Sequence, residues 1–425
     1  MHSHWGLADW LAFQESSHTL AIDMGLARVR LVASRLGLDK SQAFTITVAG
    51  TNGKGSSTAM LSSIYTVAGY KVGWYSSPHL LHYNERIRLN NEAVTDALLI
   101  EAFRAIAVVS QDLTLSYFEW GTLAALWLFK HDACDIQVLE VGLGGRLDAV
   151  NVIDADAVLI TPIDIDHQAY LGDTREIIAV EKAGVFRLGQ VAVCSDPNPP
   201  HSLIDAAQTL SLLLYCSGQD FSWQVLGDNH WHWQSGLHAY HLPKPALQGN
   251  FQYANAAGVL MLIDVLQSRL PVSVSALSQG LSQVALLGRM DARKLLGRFW
   301  LFDVAHNAQS IGVLADYLAI RSEPVVAVFS ALSDKDIAAM VNQLSPYVDY
   351  WFVAPLGGVR GASLAQLKEA FLSVDKDIIH WCDTLSDACA LAQDDDSSLT
   401  RLVCGSFVAV EQGFHWLEVA SCSSH

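Results

Sequence analysis

A chain of 425 residues is long enough for two or three domains, each with a sizeable core. Apolar residues make up 51% and charged ones 16%, which excludes a disordered or fibrous chain and leaves a compact α/β enzyme as the reading. The formal charge of −17 excludes broad binding to nucleic acid or anionic membranes, so an anionic ligand must be met by local cations, helix N-termini and metal ions.

Two helical patterns, 5–13 and 26–36, flank His18-Thr-Leu-Ala-Ile-Asp-Met-Gly25, either a ligand loop or a helix connection. Residues 44–48 are a β-branched run predicted as a buried parallel strand, and Met60, Leu61, Ile64 and Val67 mark an apolar helix. Between them lies Val48-Ala-Gly-Thr-Asn-Gly-Lys-Gly-Ser-Ser57. Strand, glycine turn and helix read as a phosphate cradle. Gly50, Gly53 and Gly55 let the backbone approach an anion, and the helix start adds its positive dipole end. Lys54 reaches the outer phosphates, with Ser56 or Ser57 near magnesium. The run is a shortened relative of G-x-x-x-x-G-K-[ST], since Val48 stands at the first glycine and Gly55 separates lysine from hydroxyl. The plainer alternative is a glycine turn that only joins strand to helix.

A second strand, 70–75, ends in Ser76-Ser-Pro-His79, which leaves hydroxyls facing the crevice where open α/β sheets bind ligands. Residues 80–91 read as polar and irregular, with Arg86 and Arg88 two apart. Helices over 95–109 and 117–130 follow. The buried strand 136–141 carries one carboxylate, Glu140, which is costly unless paired or metal-bound, and runs into Gly142-Leu-Gly-Gly-Arg-Leu-Asp148. Strand 157–161 leads to Asp164-Ile-Asp-His167; then come a helix holding Glu181-Lys-Ala-Gly184, a strand over 190–194 and a helix after Pro200. Such alternation implies a mainly parallel sheet.

From 221 to 242 tryptophans and other apolar residues alternate with polar ones, which predicts short antiparallel strands. His230, His232, His238 and His241 lack metal-ligand spacing, so a sheet-edge hairpin is expected there. Helices over 247–266 and 274–284 precede a linker at 286–291. Strands near 299–304, 325–329, 350–354, 378–381 and 401–404 then open a second alternating unit. Asp394-Asp-Asp396 reads as a solvated turn. The expected architecture is α/β: a P-loop ATPase-like domain with a mainly parallel sheet over 1–286, and a smaller Rossmann-like domain over 287–425. Seven scattered cysteines without a C-x-x-C pair, and no apolar run of membrane-spanning length, point to a reduced cytoplasmic protein.

Gly50-Thr-Asn-Gly-Lys-Gly-Ser56, Tyr75-Ser-Ser-Pro-His79, the 140–148 segment, Asp166-His167, Glu181-Lys-Ala-Gly184 and Asp303-Val-Ala-His-Asn307 follow one another in this order. The ordered set resembles the folylpolyglutamate synthase family of the Mur ligase superfamily, in its bacterial bifunctional branch. That resemblance implies a ligase that uses ATP to join L-glutamate to dihydropteroate and to reduced folates through an acyl phosphate. A monofunctional folylpolyglutamate synthase and a cell-wall amino-acid ligase are the nearer alternatives; a non-catalytic nucleotide switch is the distant one.

The resemblance implies ATP contacts at Thr51, Asn52, Gly53, Lys54, Gly55, Ser56, Asn255, Arg289 and Asp303. It implies one magnesium ion at Ser77, Glu140 and His167 and a second held by a carbamylated Lys182, with potassium as a further candidate cation. Lys54, Lys182 and His306 take catalytic roles, Lys182 as a carbamate and His306 facing glutamate. A dihydropterin site is implied at Asp23, Met24, Gly25, Phe118, Glu119, Trp120, Gly121, Leu147, Asp148 and Ala149, and glutamate contacts at Arg360 and Ser406. Other readings stay open: Lys182 as a helix-surface lysine paired with Glu181, Phe118 as helix packing, Asn307 as a helix cap. The chain departs from the family pattern at Leu287, Ala308-Gln309, Phe251 and Gln168. Small-molecule partners and a monomer are expected, with no nucleic acid and no membrane.

Overall fold

In the computed structural model, β1 (Phe44–Ala49) lies between β5 and β6 of an eight-stranded sheet ordered β4-β3-β2-β5-β1-β6-β7-β8. Its partners are β2 (Val72–Tyr75), β3 (Ile87–Leu89), β4 (Glu92–Ala93), β5 (Ile136–Glu140), β6 (Ala157–Ile160), β7 (Val191–Cys194) and β8 (Leu213–Cys216). All pair in parallel except β3 and β4, which add an antiparallel edge beyond β2. The structure describes residues 4–18, 23–39, 42–227, 229–321, 323–358, 360–394 and 399–422. Residues 19–22 of the candidate loop and most of the acidic turn at 394–396 lie outside them.

A strand buried on both faces needs apolar or β-branched residues throughout, and β1 has them: only Phe44 is not fully buried. Helices α1 (Leu7–Ser16), α2 (Ala27–Arg35), α4 (Asp96–Val109) and α5 (Tyr117–His131) contribute to one core around Trp10, Phe103, Leu123 and Phe129. Between α2 and α4 in the chain, α3 (Lys54–Val67) is buried on nearly every side from Ser56 to Tyr65. Helices α6 (Gln168–Leu171), α7 (Arg175–Ala183) and α8 (His201–Thr209) accompany a further core that includes Ile178, Ala179 and Leu203. Strands β9 (Phe221–Val225), β10 (His230–Ser235) and β11 (Ala239–Pro243) form the expected antiparallel sheet, with Trp231, Trp233 and Leu242 buried. Then come α9 (Phe251–Val265) and α10 (Val274–Gln283).

The chain divides into two units, Met1–Ala246 with Gln252–Ala285, and Leu247–Phe251 with Leu286–His425. The second holds β12 (Asp291–Leu295), β13 (Arg298–Phe302), β14 (Val325–Phe329), β15 (Tyr350–Val353), β16 (Ile379–Trp381) and β17 (Thr400–Cys404). Their order is β12-β13-β17-β14-β15-β16, parallel apart from the β12–β13 hairpin. Its helices are α11 (Ala308–Ala319), α12 (Ile337–Leu344), α13 (Leu364–Ala370), α14 (Leu385–Asp394) and α15 (Phe407–Cys422). The expected α/β class is therefore observed in both units.

Three local expectations are corrected, and one strand, β8, had not been expected. The 80–91 stretch is ordered as a 3-10 turn, Tyr83–Arg86, followed by β3, too short a strand to show a periodic pattern. β8 is a four-residue edge strand with Leu213 exposed, so it carries no alternation. The predicted linker runs into β12, whose hairpin turn places Leu296 at φ 50° and Gly297 at φ 74° without the usual Asn-Gly signal. The helix expected from Leu247 begins at Phe251, because Gly249 at φ 102° breaks helical geometry.

Candidate active site

The loop between β1 and α3 depends on two glycines. Gly50 has φ 147°, and a Cβ there would lie 1.9 Å from Thr161 Oγ1. Gly53, at φ 89°, caps α3, and a Cβ would lie 2.4 Å from Asn255 Oδ1. Asn255 is thus placed against the loop backbone; it donates to Gln252 Oε1 at 3.0 Å, and Gln252 donates to Ser56 Oγ at 3.2 Å. Thr51 Oγ1 donates to the Asp164 carbonyl and accepts the Asp164 N–H, both at 3.0 Å, which ties the loop to the segment after β6.

Two ammonium groups meet at one carbonyl. Lys54 Nζ donates to the Gly50 and Thr51 carbonyls at 3.0 Å each, and Lys182 Nζ donates to the Gly50 carbonyl at 2.7 Å. Lys182 is 3% exposed, so it is no helix-surface lysine, and Glu181 pairs instead with Arg146 at 2.8 Å. Burial first and then the charge of Lys54 push the Lys182 amine down to about 7, against the opposing pull of Asp166 and Asp148. Such concentrated positive charge suits a polyphosphate.

The sheet order gathers the predicted metal set around this loop. Ser77 follows β2, Glu140 is the last residue of β5 in register with Val48, and His167 follows β6. β5 and β6 are the two neighbours of β1, and β2 is the next strand out. All three residues therefore lie at the carboxyl edge where chain direction switches, the crevice open α/β sheets use for ligands. Glu140 is buried, and His167 occupies the left-handed region at φ 52°. A hydroxyl, a carboxylate and an imidazole are a donor set that fits a divalent cation. Among the described residues no three His, Cys, Asp or Glu form a metal-binding group, and in the tryptophan hairpin His238 Nδ1 instead meets Asp264 at 2.6 Å.

Next to this edge, Phe118 packs against the loop after β5: a Cβ on Gly142 would be 2.6 Å from the tip of its ring, whose centroid is 5.9 Å from that of Tyr75. A Cβ on Gly144 would be 3.4 Å from Met24 Cε, so Met24 and Phe118 border the same loop. Asp148 organises that loop by accepting the Leu143 and Val150 N–H groups at 2.8 and 2.9 Å; burial pushes its carboxyl up to about 6. Asp23 accepts from Arg28 at 2.6 Å and contacts His18 at 2.9 Å, and these partners hold its carboxyl below its usual range. Leu147 and Gly25 are half-buried nearby in sequence.

Several residues of the predicted contact set make structural contacts within the fold. Trp120 is buried against Trp10, Phe13 and Phe103, with ring centroids 6.0 to 6.1 Å apart. Gly121 faces the Tyr75 and Tyr83 hydroxyls, and Ala149 lies in the core. Glu119 caps α5 by accepting the Ser116 N–H at 2.7 Å, while its other oxygen accepts from Arg28 at 3.2 Å. Ser406 is fully buried and accepts the Ala409 N–H at 3.0 Å as a helix cap. Arg360 has an exposed side chain, and its carbonyl accepts from Ser333.

In the second unit, Asp303 accepts the Met290 and Ala305 N–H groups at 2.8 Å each. Burial pushes its carboxyl up, opposed by the Arg289 charge. Arg289 lies over the Phe407 ring at 5.2 Å, and His306 faces the same ring at 5.6 Å. His306 Nδ1 meets the Val304 carbonyl at 2.8 Å, so Nδ1 carries the proton and Nε2 is the basic nitrogen. Asn307 caps α11, as its alternative reading held. Phe407, Gln252 and Thr161 were not singled out from the sequence, since nothing in a lone aromatic, amide or hydroxyl distinguishes it before folding.

The description "Mur ligase, glutamate ligase domain" matches residues 288–407. The dihydrofolate synthase/folylpolyglutamate synthase of Escherichia coli K12 is 42% identical over 97% of this chain and 95% of that one. The E. coli FolC structure in complex with DHPP and ADP covers 99% of both chains at 40% identity and a TM-score of 0.92. A bifunctional enzyme of this kind with Mn, AMPPNP and L-glutamate bound covers 98% of both at 41% identity and a TM-score of 0.89. Fold and site thus define an ATP-dependent acid–amino-acid ligase of the Mur type. The chain belongs to the dihydrofolate synthase/folylpolyglutamate synthase family.

Proposed function

We propose that this ligase joins L-glutamate to dihydropteroate and extends reduced folates by the same chemistry. A carboxylate oxygen of the acid attacks the γ-phosphorus of ATP and ADP leaves. The glutamate amine then attacks the acyl carbon and phosphate leaves. A carboxylate is a poor electrophile until one oxygen becomes phosphate, and moving a phosphoryl group between anions needs positive charge fixed in advance. The observation that carries the reading is the convergence of Lys54 and Lys182 on the Gly50 carbonyl, with Ser77, Glu140 and His167 at the ends of the neighbouring strands.

Thr51, Asn52, Gly53, Gly55 and Ser56 line the phosphate turn, and Lys54 neutralises the phosphates. Asn255 braces Gly53; in the second unit, Arg289 and Asp303 are the residues assigned to nucleotide. Magnesium held by Ser77, Glu140 and His167 supplies charge neutralisation when bound. Lys182, whose amine is pushed down to about 7, adds carbon dioxide from its neutral form and releases one proton, turning a neutral amine into an anionic carbamate. Met24 and Phe118 border the pterin site, and Asp23 and Asp148 shape it. His306 Nε2 accepts the proton the glutamate amine gives up. No described helix is long and apolar enough to cross a membrane, and the described cysteines are free thiols, which suits the cytoplasm.

The test is ADP release with dihydropteroate or tetrahydrofolate, each with and without glutamate. Glutamate-dependent turnover with both is expected; none with either rejects the proposal. A switch that binds nucleotide without ligation has no use for a buried Lys182 beside Asp166 and Asp148.

A further inference from the structure

The stretch at 80–91 contains a guanidinium, that of Arg86, for which the described residues supply no ion-pair partner. Arg86 ends the turn Tyr83–Arg86 and is 9% exposed. Among the described residues its one side-chain hydrogen bond runs from Nε to His79 Nδ1 at 2.7 Å, and the guanidinium makes no ion pair. Because Nδ1 accepts that bond, the His79 ring is neutral and offers no anion. The guanidinium carbon lies 5.4 Å from the Tyr83 ring centroid and 5.3 Å from that of Tyr117. Aromatic faces orient such a group but do not replace a counter-ion, and a buried cation left with one neutral acceptor marks a place where a ligand completes the pairing.

Its position names the ligand. The Arg86 carbonyl accepts the Ser76 N–H at 2.9 Å, so Arg86 is fastened to the segment that carries Ser77. Tyr117 faces the guanidinium, and Phe118, the next residue, packs on Tyr75 and Gly142. A cation lined by tyrosines and adjoining the surface assigned to an aromatic acid suits a carboxylate better than a triphosphate, for which Lys54 is already assigned. The terminal nitrogens of Arg86 make no hydrogen bond among the described residues, and their planar fork matches two carboxylate oxygens.

We propose that Arg86 binds a carboxylate of the acid substrate, an assignment that rests on the ligase reading above. The carboxylate is either the one to be activated, present in both acids, or the non-reacting α-carboxylate that only a folate's terminal glutamate carries. Arg86→Met keeps the aliphatic stem and removes the charge; Arg86→Lys keeps the charge and removes the fork. Steady-state constants are measured on the full chain for ATP, dihydropteroate and tetrahydrofolate, with thermal unfolding of each variant alongside.

Arg86→Met is expected to raise KM for the acid by about tenfold or more, the usual effect of losing a charge-assisted hydrogen bond, with KM for ATP within about twofold. Arg86→Lys falls between it and wild type. A rise confined to tetrahydrofolate assigns the α-carboxylate, and an equal rise for both acids assigns the reacting one. Unchanged KM for both acids, or a matching rise for ATP, overturns the proposal. Should Arg86→Met fail to fold, Arg86→Lys carries the same comparison of acid with ATP. Wild-type protein inactive with either acid would instead reject the ligase reading.

Discussion

Lys182→Met should make the protein more stable at neutral pH while stopping its chemistry. In the folded chain the amine sits at about 7 instead of 10.5, chiefly because burial disfavours its charge. Below about 7 the amine is protonated in both states, so the folded protein carries the full cost, on the order of 5 kcal/mol. Between the two values the unfolded chain binds the extra proton, and wild-type stability climbs by about 1.4 kcal/mol per pH unit. Above 10.5 the cost is gone. Methionine fills similar volume without a charge; losing the bond to the Gly50 carbonyl offsets about 1 kcal/mol, and Lys54 still serves that carbonyl. Urea unfolding of both proteins near pH 6.5 and pH 9.5, in carbonate-free buffer, should show the variant several kcal/mol more stable at the lower pH and the gap narrowing at the higher. A variant less stable than wild type near pH 6.5, or a gap that ignores pH, would refute the burial argument.

Lys54→Ala and Glu140→Ala should each lower turnover by about 100-fold or more, as removing phosphate or metal stabilisation does; near-normal rates would show these roles are misplaced. Gly53→Ala must place a Cβ 2.4 Å from Asn255 Oδ1 at φ 89°, so KM for ATP should rise by about tenfold or more, and an unchanged value would contradict the packing of Asn255 on the loop. Trp120→Ala should cost about 3–5 kcal/mol in urea unfolding, whereas Trp120→Phe should leave KM for dihydropteroate within about twofold. A large KM effect in the phenylalanine variant would return Trp120 to the ligand site.

How far the sequence could be read depended on the kind of signal each element carries. β1, α3 and the glycine turn were legible because continuous β-branched burial, helical period and backbone approach leave marks in neighbouring residues. Strands β3, β8 and β12 were not, since strands of three to five residues at or next to a sheet edge borrow their order from a partner. Glu140 stood out as an acid in an apolar strand. For Trp120 and Ser406 the resemblance located a segment, and only the fold showed that both side chains are buried. Arg86 was visible only as one of two nearby arginines; its missing counter-charge emerges from the packing of Tyr83, Tyr117 and His79, residues the chain brings together by folding. The depressed Lys182 amine likewise depends on burial and on the charge of Lys54, distant in sequence.

The central claim is that the acid is activated by phosphoryl transfer before the amine attacks. Dihydropteroate labelled with oxygen-18 in its carboxylate, turned over with ATP and glutamate, tests this most directly by mass spectrometry of the released phosphate. Label is expected in the phosphate, carried there by the oxygen that bridged acyl carbon and phosphorus. Phosphate free of label would contradict the acyl-phosphate route.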